Sequence, residues 1–78
     1  MAKLMKRMTK EEWMIEFGKR ISARMDYLEM TQAELGRRAG IDPMSISQYV
    51  HGKNCPIAYH VAALAEALAT TSDKLIDF

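Results

Sequence analysis

The chain has 78 residues, enough for one domain and too few for two. Hydrophobic residues make up 49% and charged residues 27%, the balance of an ordinary folded domain, and no apolar run approaches the roughly 20 residues that span a bilayer. The formal net charge is only +1, so a nucleic-acid partner has to be met by the placement of charge rather than by its excess. That placement is uneven. Residues 1–8 carry Lys3, Lys6 and Arg7 without an acid, whereas residues 55–78 set Glu66, Asp73 and Asp77 against Lys74. The opening MAKLMKRM is basic, but no long apolar stretch follows it, which argues against a secretory signal. Cys55 is the single cysteine and has no internal disulfide partner, so a cytoplasmic location is expected.

The first helix is predicted to start after Thr9, because Glu12 stands three positions on and the pair has the form of a capping box. Trp13, Phe17, Ile21, Met25 and Leu28 then recur at steps of four, four, four and three, an amphipathic helical stripe that Gly18 weakens slightly. Leu28 to Met30 reads as a connection. Thr31 is the expected cap of the second helix, with Glu34 repeating the box, and Leu35 and Ala39 one turn apart on its buried face. Gly40 can end that helix in a left-handed conformation without a Cβ clash. Ile41 plugs the corner, Asp42 caps a third helix, and Pro43 takes its first position, where no backbone donor is needed.

The third helix is expected over Pro43 to Val50, held inward by Ile46, Tyr49 and Val50. Its other side then shows Met44, Ser47, Gln48 and His51, with Pro43 at the tip. The segment from Gly52 to Pro56 is a loop by composition, and Pro56 is able to open a fourth helix, whose stripe Val61, Leu64, Ala65 and Leu68 runs to about Ala69. Thr71 or Ser72 caps a fifth, bearing Leu75, Ile76 and Phe78. No strand-like alternation, repeat or low-complexity tract stands out.

Several motifs now stand in order: Thr31-Gln32-Ala33-Glu34-Leu35, Ala39-Gly40-Ile41, Ile46-Ser47-Gln48-Tyr49, Gly52-Lys53 with Pro56, and Leu64-Ala65-Glu66-Ala67-Leu68 with a later Leu75. In these the chain resembles the phage repressor and Cro family of helix-turn-helix regulators, also called XRE-type, over about residues 17–77. The resemblance implies an all-α, compact five-helix, lambda-repressor-like DNA-binding domain at residues 9–78, behind a basic arm at residues 1–8. Helices two and three form its helix-turn-helix. It implies that Pro43, Met44, Ser47 and Gln48 face base edges and that Gln32 meets a phosphate.

The side-chain chemistry agrees with those roles. An eight-residue helix is ~12 Å long at ~1.5 Å per residue and fits a major groove ~12 Å wide. A glutamine amide such as that of Gln48 can pair bidentately with adenine N6 and N7, whereas Ser47 discriminates less. Met44 and Pro43 bring no side-chain donor, unlike the polar residues often found there in phage repressors, and suit thymine methyl groups. The first turn behind Gln32 offers backbone N–H groups to an anion. Lys53, Asn54 and His51 are further phosphate candidates, and Lys3, Lys6 and Arg7 can add charge by wrapping the duplex.

One such unit reads few base pairs. A homodimer on a double-stranded operator is therefore expected, with Leu75, Ile76 and Phe78 either forming the dimer surface or simply closing the core. His51, Cys55 and His60 lack a zinc spacing, so neither metal nor cofactor is expected. Arg37 and Arg38 read equally well as a solvated helix face and as phosphate clamps. No arrangement for catalysis stands out. The expected function is that of a sequence-specific, cytoplasmic transcriptional regulator acting as a dimeric repressor. The alternative is an antitoxin-like module that binds a partner protein through its acidic, apolar C-terminal end and regulates itself through DNA.

Overall fold

The computed structural model describes residues 8–77, so Lys3, Lys6, Arg7 and Phe78, singled out above, lie outside the described residues. The described residues form five helices and no strand: α1 (Lys10–Leu28), α2 (Gln32–Ala39), α3 (Pro43–Val50), α4 (Ala58–Ala67) and α5 (Ser72–Ile76). The helices and their order are those expected from the sequence.

Local chemistry fixes the ends. Thr9 Oγ1 accepts the Glu12 N–H at 3.0 Å while Glu12 Oε1 accepts the Thr9 N–H at 2.9 Å, a complete capping box at the head of α1. Thr31 accepts the Glu34 N–H at 3.1 Å in the same way. The reciprocal half of that second box is not formed, because Glu34 turns to Arg38 and pairs with its guanidinium at 2.8 Å. Gly40 stands at φ 71°, ψ 32° and ends α2 in the left-handed region, as its lack of a Cβ allows. The Ile41 N–H then bonds back to the Gly36 carbonyl at 2.9 Å and closes the corner.

The core gathers at the meeting of the helices. Phe17 and Ile21 from α1, Leu35 from α2, Ile46 from α3, and Leu64 and Leu68 from the α4 region are the largest fully buried side chains. α1 packs on α3 and α5, α2 on α3 and α4, and α4 on α5. Met30, expected only as connection, is also buried in this core.

α4 differs at both ends from the expectation. It begins at Ala58, with Ile57 as an N-cap that has no side-chain acceptor, so Pro56 precedes the helix instead of opening it. It stops at Ala67 because Leu68 and Ala69 leave the helical path, Ala69 with φ 55°. Their carbonyls are not wasted. Arg24 of α1 donates Nε to Leu68 O at 2.8 Å and Nη2 to Ala69 O at 2.9 Å, and Arg20 donates to Lys74 O at 2.8 Å. Two arginines of α1 thus satisfy carbonyls that a helix end leaves unpaired and tie the C-terminal helices to the longest one.

At α5, Thr71 rather than Ser72 is the cap, accepting the Lys74 N–H at 3.3 Å. Leu75, one of the three residues offered for a dimer surface, is 2% exposed and belongs to the core. The physical reason is simple. A one-turn helix pressed against α1 and α4 has one inward position, and Leu75 fills it. Ile76 is half-buried against the same core.

Candidate nucleic-acid interface

α3 is held in place by its start and its inner face. Asp42 accepts the Ser45 N–H at 3.0 Å and the Ser45 hydroxyl at 2.8 Å. The hydroxyl bond first, then the backbone bond, hold its carboxyl below the usual carboxylate range. Pro43 occupies the first turn, as its missing donor permits. Inward, Ile46 and Tyr49 are buried and Val50 packs against the core. The Tyr49 hydroxyl and His60 Nδ1 are hydrogen-bonded at 2.6 Å, and the Tyr49 ring stands edge-on to Phe17 with centroids 6.3 Å apart. Burial pushes the Tyr49 phenol up, so it stays a neutral hydrogen-bonding group. α3 is therefore braced against both α1 and α4.

The opposite face is open. Met44 is 71% exposed, so its apolar side chain stands open on this face. Pro43 is exposed at the N-terminal end, and Ser47 and Gln48 are half-exposed further along. The chain then turns back on α3: the His51 N–H reaches Ser47 O at 3.0 Å and the Lys53 N–H reaches Gln48 O at 2.8 Å. This return brings the Asn54 side chain to Gln48, with Asn54 Nδ2 donating to Gln48 Oε1 at 3.2 Å. Asn54 Oδ1 accepts the Cys55 N–H at 2.9 Å. His51 folds its Nδ1 onto Ser47 O at 2.8 Å, which leaves Nε2 as its outward atom.

The structure thus gathers Met44, Ser47, Gln48, His51 and Asn54 along one face of α3 and the loop behind it, with Lys53 exposed in that loop. Gln32 lies half-exposed in the first turn of α2. Arg38 is engaged with Glu34, whereas Arg37 is simply exposed. Among the described residues, no three His, Cys, Asp or Glu side chains are grouped to hold a metal ion. The coupling of Gln48 to Asn54 is not visible in the sequence, since a contact across a loop has no periodicity to betray it.

A short helix set against another across a tight turn, its outer face free and its inner face braced, defines a helix-turn-helix. The helix-turn-helix family matches residues 21–75, most of the chain. The chain belongs to this family, of the phage repressor and Cro (XRE) type. It is 36% identical over 59 residues to repressor protein C2 of Salmonella phage P22, a match taking in 76% of this chain and 27% of that protein. The chain thus spans about a quarter of the length of that curated relative. The crystal structure of the restriction-modification controller protein C.AhdI from Aeromonas hydrophila has a similar fold, with a TM-score of 0.77 at 21% identity over 80% of this chain and 94% of that one. Among the described residues, no helix is long and apolar enough to cross a membrane.

Proposed function

We propose that the chain is a sequence-specific repressor that binds a double-stranded operator as a homodimer in the cytoplasm, laying α3 in the major groove. The observation that carries this reading is the outer face of α3. Met44 is 71% exposed there beside Gln48, while Ile46 and Tyr49 fix the helix from behind. A groove supplies what such a face lacks: thymine methyl groups for Met44 and Pro43, and donor–acceptor edges for Gln48 and Ser47.

Phosphates are met around this face. Gln32 and the first turn of α2, Lys53, and the remaining N–H of Asn54 set the register, with His51 exposed beside them. Lys3, Lys6 and Arg7 add basic charge at the N-terminal end. The likeness to repressor protein C2 supports repression as the outcome, by occupation of a promoter. Two copies related by a two-fold axis would set their reading helices ~34 Å apart, one turn of duplex. With Leu75 in the core, the contact between copies falls to Ile76 and Phe78 at the C-terminal end.

Fluorescence polarisation on duplexes selected from a random pool tests the reading. Selected sites should be two-fold symmetric, and log affinity should fall linearly with log salt, by about 0.9 for each phosphate neutralised. Lys53→Ala should reduce that slope by about one on selected and random duplexes alike. Failure to select any common site, together with affinity indifferent to salt, would refute the proposal in favour of a protein-binding role.

A further inference from the structure

Gln48 is a useful reader only if its amide is turned the right way, because oxygen and nitrogen have to fall on the correct atoms of the base. A glutamine amide is nearly symmetric in shape, so packing alone does not choose between the two orientations. The choice is made here by a donor that cannot be reversed. The Cys55 backbone N–H can only donate, and the Asn54 side-chain atom it meets at 2.9 Å is therefore oxygen. That fixes Asn54 with Nδ2 on its other branch, and Nδ2 in turn needs an acceptor. Gln48 presents one, its Oε1, at 3.2 Å. The order runs from backbone to Asn54 to Gln48, and at its end Gln48 holds its oxygen toward Asn54 and its NH2 away.

We infer that Asn54 is a positioning residue for base recognition, fixing the amide of Gln48 so that the base pair under it is read in one orientation. The inference rests on the proposed role of Gln48 in the groove. Oε1 accepts one bond from Asn54 and keeps a lone pair for the exocyclic amine of adenine, while Nε2 is left for adenine N7. Guanine offers two acceptors, N7 and O6, along the same edge, and sets one of them against the glutamine oxygen. An amide free to turn can evade that repulsion by presenting nitrogen. A fixed one cannot, so the Asn54 bond sharpens adenine over guanine. A contact to phosphate alone would strengthen binding to every sequence and leave this preference untouched.

Two substitutions separate these roles. Asn54→Ala removes the lock. Asn54→Asp keeps an oxygen for Cys55 N–H but turns the other toward Gln48, which then has to rotate its NH2 inward and its oxygen outward. The experiment selects sites from a random duplex pool with the intact chain, then measures affinities for the selected duplex and for single-base-pair changes, with Gln48→Ala marking the base pair that residue reads. Asn54→Ala is expected to narrow the adenine-to-guanine preference at that pair by about three- to tenfold, the scale on which ordering one long side chain enters a binding equilibrium. Asn54→Asp is expected to shift the preferred base there, on top of any general loss from its charge. In the Gln48→Ala background, Asn54→Ala should change the preference no further. Equal losses on all duplexes, with the preference at that pair intact, would overturn the assignment of Asn54 while leaving Gln48 a reader. A wild-type chain that selects no site would overturn the reading of α3 itself.

Discussion

Gly18 of α1 lies directly beneath the Tyr49 carbonyl of α3: a Cβ at Gly18 would stand 2.5 Å from that oxygen. The Val50 carbonyl oxygen is equally close, so the obstacle is backbone that cannot rotate aside. Two effects compete in Gly18→Ala. Helix propensity favours alanine by about 1 kcal/mol, whereas overpacking against a rigid neighbour costs about 1–3 kcal/mol. The clash should win. We expect a lower urea midpoint for Gly18→Ala and weaker DNA binding, since the helix forced away is the one proposed to enter the groove. An unchanged or raised midpoint would show that α3 does not approach α1 so closely.

Leu75 gives a second prediction. As a core residue truncated to alanine it should cost about 2–5 kcal/mol, a large part of the stability of a small domain. The melting temperature of Leu75→Ala should fall by the same amount at dilute and concentrated protein. A loss that disappears at one concentration would instead place Leu75 at a contact between copies. Ile76→Ala, on the proposed dimer surface, should lower operator affinity more than it lowers the melting temperature.

Asp42 sets an acid limit on α3. Its carboxyl is held below the usual range by Ser45, so the folded state binds a proton less readily than the unfolded chain. The stabilisation is therefore complete above the ordinary carboxylate pKa and drains away as the pH falls through the lowered folded value. Asp42→Asn retains an N-cap acceptor without the titration. Its unfolding midpoint should vary less than the wild type's between neutral pH and the acid range. Identical acid profiles for the two proteins would mean that the Asp42–Ser45 bonds are not maintained in solution.

The sequence carried most of the fold because its signals were local. Thr9 with Glu12, Thr31 with Glu34, Gly40, and Asp42 with Pro43 each act within a turn or two of chain, and each lies at a helix end in the structure. What stayed hidden depended on residues far apart in sequence. Gly18 reads as a mild helix weakener, and only the approach of α3 gives it a purpose. No local motif singles out Arg20 and Arg24, yet they hold carbonyls 54 and 44 residues away. At the candidate site, periodicity placed Met44, Ser47 and Gln48 away from Ile46 and Tyr49, as the burial pattern has it. The bond from Asn54 to Gln48 needed the loop to turn back first, and no spacing rule announces that. Leu75 was ambiguous for a different reason: an apolar residue near a chain end satisfies a core and an interface equally well until neighbours are placed around it.

The proposed function requires Gln48 to meet a base from the open face of α3. The most direct measurement is the affinity of wild type and Gln48→Ala for one selected duplex and its full set of single-base-pair variants at fixed salt. The expected loss on the parent duplex is about 1–3 kcal/mol, confined in its sequence effect to a single position per half-site, where Gln48→Ala no longer distinguishes the bases. Wild-type affinity in the variant, or an equal loss on every duplex with all preferences retained, would contradict it.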